Sequence, residues 1–122
     1  MRPIHLARLD KTRPVVILTR ESVRPRLTRI TVVPVTTTIR GLSTEVAVGP
    51  RNGLDHDSVI SCDNIQTVDA NLIGRHLGHL LADQELLLAE AIMIAFDLEA
   101  VSLADLAESV QSRPPRNTGV RS

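Results

Sequence analysis

Two short runs carry the residue types from which this chain could build a reactive site. Arg13-Pro14 opens one β-branched run, and Val33-Pro34-Val35-Thr36-Thr37-Thr38 closes another. A guanidinium offers five donors in a planar fork that can hold two oxygens of one phosphate, and threonine hydroxyls add short, directional bonds. The pair is suited to gripping a phosphodiester. Taken singly, Arg13 is an ordinary hairpin arginine and Thr36 a residue that strands favour. The rest of the chemical inventory is thin. His5, His56, His76 and His79 form no HExxH pattern, and no GxSxG or GxxxxGK[ST] run occurs. His76 and His79 lie three apart, so on a strand they face opposite sides and hold no metal between them. Asp55 and Asp57 flank a turn and read as solvated loop acids. Cys62, the one cysteine, can form neither an intrachain disulfide nor a zinc cluster and reads as a small core residue. No metal and no cofactor is expected.

Those side chains need strands to hold them. Residues 4–9 suit a first strand, turned by Asp10-Lys11-Thr12, and residues 15–19 a second, apolar throughout, with Pro14 at its start where a ladder bond can be forgone. Residues 20–28 form a basic loop. Residues 29–38 give a third strand whose Pro34 marks an edge or a bulge. Residues 44–48 alternate like a half-buried strand, and the cluster at 49–53 is a turn. Residues 58–62 form a fifth strand that 64–68 continue after a bulge. A short turn or strand over 74–80 precedes Asp83, an expected N-cap, and a helix over 84–98 with Leu88, Ile92 and Ala95 on one stripe. Ser102 caps a second short helix over 103–111, and the tail from Ser112 is expected to be disordered. The spacing predicts a mainly β fold, a small barrel with a C-terminal helix, as one domain over residues 1–100 and an extension over 101–122.

Bulk properties narrow the function classes. The chain has 122 residues, 43% of them hydrophobic, and 1% aromatic, the single Phe96. The core must therefore be aliphatic, and RNA recognition by aromatic stacking platforms is disfavoured. No apolar run approaches the ~20 residues a membrane helix needs. Residues 1–5 show no secretory apolar segment, so the expected location is cytoplasmic. The formal net charge of zero hides a split: residues 1–54 carry ten Lys/Arg against three Asp/Glu, and residues 55–122 carry four against eleven. That asymmetry suits one polyanion-binding face, or two halves that cancel on folding.

Three segments, in order and in register, carry a family likeness. Residues 11–19 (Lys-Thr-Arg-Pro-Val-Val-Ile-Leu-Thr), residues 33–37 (Val-Pro-Val-Thr-Thr) and residues 57–67 (Asp-Ser-Val-Ile-Ser-Cys-Asp-Asn-Ile-Gln-Thr) resemble the signature segments of the MazF/PemK toxin ribonucleases. Gly78-His79-Leu80 before an apolar helix resembles that family's C-terminal end. The likeness spans residues 4–98. It implies a small SH3-like barrel of the CcdB/PemK type that forms a homodimer, a substrate groove near the subunit interface, and a MazE-like cognate antitoxin. It also implies metal-independent cutting of single-stranded RNA to a 2′,3′-cyclic phosphate and a 5′-hydroxyl. The family's catalytic arginine falls on Arg13 and its catalytic threonine on Thr36. Its RNA-contacting positions fall on Asp63, Asn64 and Gln66, with Thr37, Ser58 and Arg20 completing the RNA-binding set. Arg20, Arg24, Arg26 and Arg29 in and beside the basic loop are expected to track phosphates.

Two departures accompany the likeness. The family's Gly-Asp opening to its first strand is missing, and the loop before the arginine is cut to Asp10-Lys11-Thr12. No general base is assigned by the motifs; Asp10 is a candidate by position. Two other readings remain open at this level. A CcdB-type toxin on the same barrel would bind DNA gyrase and cut nothing, needing neither Arg13 nor Thr36. A structural dimer module would make the charge split and both motifs coincidence.

Overall fold

The structure, a computed structural model, describes residues 1–99. The expected short helix over 103–111 and the tail beyond it lie outside those residues. Among the described residues, apart from short 3-10 turns, the fold comprises seven strands and one α-helix: β1 (Pro3–Arg8), β2 (Thr12–Ile17), β3 (Arg29–Thr36), β4 (Glu45–Val48), β5 (Ser58–Ser61), β6 (Gln66–Asp69), β7 (Ile73–His79) and α1 (Ala82–Ala95). The sheet runs β4-β5-β3-β2-β1-β7, with β6 also on β3, and all the pairs are antiparallel. It is the mainly β architecture with a C-terminal helix that the sequence predicts, its sheet forming a half-barrel. No helix among the described residues is long and apolar enough to cross a membrane.

Val15-Val16-Ile17 shows no polar alternation because both faces of β2 are covered. Val16 joins Ile4, Val33, Val35, Ile60, Leu80 and Leu88 in one cluster. Val15 and Ile17 join Ala7, Ile30, Val32 and Val68 in a second, on the other face. A strand buried on both sides reads as a continuous apolar run.

Pro14 and Pro34 depart from expectation in informative ways. Pro14 lies inside β2, opposite Leu6 of β1, rather than at its start. Pro34 is buried within β3, a central strand, so the edge reading fails. The bulge does exist, but on the partner. β3 pairs with β6 from Arg29 to Val32 and with β5 at Val35 and Thr36. Between Val32↔Gln66 and Val35↔Ile60 the partner chain carries three extra residues, which form the tight turn Cys62–Asn64. Pro34 has no N–H to give a ladder bond, and the partner strand leaves the ladder beside it.

The sheet closes on itself through contacts rather than a seventh ladder. Gly53, at φ 86°, and Gly78 press backbone on backbone: a Cβ on Gly78 would stand 2.1 Å from the Asn52 carbonyl oxygen. Only glycine allows that approach. Asn52 and Gln84, both buried, fasten the seam. Asn52 Nδ2 donates to the His79 carbonyl (3.1 Å) and to Gln84 Oε1 (2.6 Å), and Gln84 Nε2 donates to Asn52 Oδ1 (3.1 Å). The Leu81 N–H donates to Gln84 Oε1 (2.9 Å), so Gln84 caps the helix from its third position. Asp83, the expected N-cap, stands inside the first turn instead, where its charge favours the helix N-terminus.

Candidate active site

β2 begins where β3 ends, which decides the geometry of the site. The two strands pair Val15↔Pro34, Val16↔Val33 and Ile17↔Val32. Carrying that register two residues further sets Arg13 opposite Thr36, on one face of the sheet. Both residues line one groove of about 750 Å³.

Arg13 is held in an unusual way. Its Nη2 donates to Asp10 Oδ2 at 3.1 Å, across the short turn between β1 and β2. Its Nε is shielded from solvent and meets no acceptor. A buried donor left unbonded costs about 1–3 kcal/mol, and an anionic oxygen arriving in the groove would remove that cost. Thr36 Oγ1 accepts from the Thr38 N–H at 3.1 Å, which leaves the hydroxyl proton available to a ligand.

The three-residue turn after β5 supplies the facing wall. Asp63 and Asn64 are exposed there and line the groove together with Gln66, Ser61 and Thr37. Asp63 Oδ2 accepts from Thr44 Oγ1 at 2.7 Å, and Asn64 Nδ2 donates to Ser61 Oγ at 2.8 Å. From behind, α1 packs against this same turn. Cys62 in the turn faces the core. Burial, and then the neighbouring Asp63 carboxylate, push its thiol up to about 11.

Six of the eight site residues expected from sequence therefore share one groove: Arg13, Thr36, Thr37, Asp63, Asn64 and Gln66. Two are placed elsewhere. Ser58 is buried and its hydroxyl donates to the His56 carbonyl at 2.9 Å. Arg20 lies past the far end of β2 and lines a separate cavity with Met1, Arg2, Arg24 and Glu85. The separation follows from strand length, since seven residues of extended chain span roughly 20 Å. Arg29 does not reach the groove either; it pairs with Asp69 at 3.1 Å. The cationic N-terminal half is thus spread over the molecule, and among the described residues Lys11, Arg13 and Arg40 bring positive charge to the groove, facing Asp10, Glu45 and Asp63. Arg40, Glu45 and Leu42 were not singled out by sequence. Gly41 signals a turn there, but nothing in the residue types says that the turn folds back over the groove.

A half-barrel with a C-terminal helix, and an arginine and a threonine lining one groove, fit one class. The chain belongs to the PemK-like, MazF-like toxins of type II toxin-antitoxin systems, whose sequence model matches residues 4–96. It is 63% identical to endoribonuclease MazF3 of Mycobacterium tuberculosis over 101 residues, which cover 83% of this chain and 98% of that protein. Among solved structures, the Mycobacterium tuberculosis toxin MazF-mt6 superposes with a TM-score of 0.79 at 63% identity, covering 81% of this chain and all of that one. A mycobacterial endoribonuclease in complex with its cognate antitoxin superposes at 0.72 with 25% identity, covering 81% and 95%.

Proposed function

We propose that this toxin cuts single-stranded RNA at a short sequence, by attack of a 2′-hydroxyl on the adjacent phosphate, without a metal ion. That it is an endoribonuclease of the MazF type rests on its family and its 63% identity to MazF3. The gyrase-binding alternative asks nothing of Arg13 or Thr36. The observation that carries the chemistry is that both line one groove, where β2 begins and β3 ends.

Attack by the 2′-oxygen forms a P–O bond and breaks the bond to the 5′-oxygen, leaving a 2′,3′-cyclic phosphate and a 5′-hydroxyl. Charge grows on the non-bridging oxygens meanwhile. Arg13, with its unbonded Nε, and the Thr36 hydroxyl are donors fixed in advance where that charge appears. A protonated guanidinium has no free lone pair and cannot serve as the base. Of the groove carboxylates, Glu45 is committed to backbone amides and Asp63 to Thr44, while Asp10 stands beside Arg13. Asp10 is assigned the 2′-hydroxyl proton, and Arg13 gives a proton to the leaving 5′-oxygen and regains one from the adjoining Asp10. Asp63, Asn64 and Gln66 read base edges, which are free only on an unpaired strand.

The protein acts in the cytoplasm as a homodimer. A MazE-like antitoxin neutralises it with a segment that folds onto the groove and excludes RNA. The test is cleavage in EDTA of an oligoribonucleotide carrying the cut site, once that site is mapped from 5′-hydroxyl ends. Arg13→Ala and Thr36→Ala should each lose about 10²–10³ in rate. A single 2′-deoxy substitution at the cut should abolish cleavage; cutting of that substrate at the normal rate would sink the mechanism.

A further inference from the structure

We propose that Glu45 is a positioning residue that sets the loop between β3 and β4 as one wall of the RNA groove, and that Arg40 on this loop binds an RNA phosphate. The inference rests on the reading of the groove as an RNA site and adds to it a substrate contact and the residue that presents it.

Residues 37–43 are exposed, and Ile39 and Leu42 add nothing to the core. An exposed segment with so little burial opens easily unless something local holds it. One carboxylate does. The Arg40 N–H donates to Glu45 Oε1 (3.1 Å) and Oε2 (3.3 Å), the Gly41 N–H to Oε1 (2.9 Å) and the Leu42 N–H to Oε1 (3.2 Å). The Glu45 N–H in turn donates to the Leu42 carbonyl at 3.0 Å. Gly41 takes φ 74°, the left-handed turn that aims three successive amides at one point. A Cβ there would meet nothing within 4 Å, so conformation rather than space calls for glycine. Converging amides of this kind form an anion site. Here the chain's own carboxylate fills it, so the loop must grip RNA with side chains.

Arg40 is the side chain for that task. It is exposed and lines the groove with Arg13 and Thr36. Whereas Arg13, Arg29 and Arg51 each pair with an aspartate, Arg40 forms no ion pair among the described residues. Thr44 ties the end of the loop to Asp63, so the loop and the base-reading turn form one continuous wall. Leu42 lines the same wall and offers a base an apolar surface.

The experiment compares wild type, Arg40→Ala, Glu45→Gln, Gly41→Ala and the Arg40→Ala/Glu45→Gln double variant, with Arg13→Ala as reference. KM and kcat are measured on the mapped oligoribonucleotide across a salt series. Arg40→Ala should raise KM about tenfold, the worth of one charge-assisted contact, with kcat within about twofold. Its log–log salt slope should fall by about 0.7. Glu45→Gln should raise KM by a similar factor, and in that background Arg40→Ala should add less than about threefold. Gly41→Ala, which displaces the loop by another route, should give the same KM-only signature, so the proposal survives a poorly folded Glu45 variant. Full multiplication of the two single effects would overturn the positioning role, and an unchanged KM in Arg40→Ala would overturn the phosphate contact. If Arg13→Ala is inactive while the loop variants behave as wild type, this inference alone falls. If Arg13→Ala cuts normally, the RNA reading of the groove falls with it.

Discussion

Arg13 and Cys62 show how differently this protein treats its ionisable groups. Arg13 is kept half-buried with one donor on Asp10 and another unbonded, a charge poised for exchange. Cys62, on the turn that bears Asp63, is turned inward and kept neutral. Its thiol is pushed from 9.0 up to about 11, first by burial and second by Asp63. A raised value means that the folded state holds the proton more tightly than the unfolded one. The stability this contributes is complete below about pH 9 and drains away as pH climbs through 11. Urea midpoints should therefore fall across that window in the wild type and fall less in Cys62→Ala. At neutral pH the native thiol should resist disulfide reagents and react only on unfolding. Rapid labelling of the folded protein at pH 7 would contradict the inward placement.

The seam between the segment after β4 and β7 shows how the elements depend on one another. Asn52 and Gln84 are buried amides that satisfy each other, the His79 carbonyl, the Gly49 N–H and the Leu81 N–H. Removing one partner strands the rest in an apolar surround, which costs about 1–3 kcal/mol per orphaned group. Gln84→Leu should thus lower stability by about 2–4 kcal/mol in denaturant melts and fray the start of α1 in helical signal. Exposed Asp83→Ala should cost under about 1 kcal/mol. The reverse ranking would return the cap to Asp83. Sequence made Asp83 the natural choice because caps are usually short acidic or hydroxyl side chains. It could not show that Gln84 faces inward, since that depends on Asn52, thirty-two residues earlier. The same limit explains the rest. Strand order near Arg13 and Thr36 was legible because β-branched runs and short turns are local signals. The fate of Arg20 and Ser58 was not, because strand length and face decide it. The clamp on residues 40–42 was invisible because any carboxylate could have made it.

Over the whole molecule the helix poses the remaining question, since α1 is apolar on two opposite sides. Gln84, Leu88, Ala91 and Ala95 follow a 4-3-4 spacing and face the barrel, with Leu88 and Ala91 in the core. Ala82, Leu86, Ala89, Met93 and Phe96 follow a 4-3-4-3 spacing around the other side, where Leu86 is 74% and Phe96 55% exposed. That spacing is the seam of a helix meeting a helix. An apolar helix stripe is ordinarily covered, and the described chain covers one of the two. The proposed homodimer supplies the second cover, and because α1 also backs the turn carrying Asp63 and Asn64, dimer formation would steady the groove. Leu86→Glu puts a charge in that seam, at its most exposed large apolar side chain. By light scattering the wild type should weigh twice the 13.3 kDa of one chain, and the variant should weigh one. Its β-sheet signal should be unchanged, because Leu86 touches no core cluster. Cleavage should fall along with the mass, recovering in part at high protein concentration as mass action restores the pair. A variant that stays dimeric would move the subunit contact to another face and leave the outer stripe of α1 to a different partner.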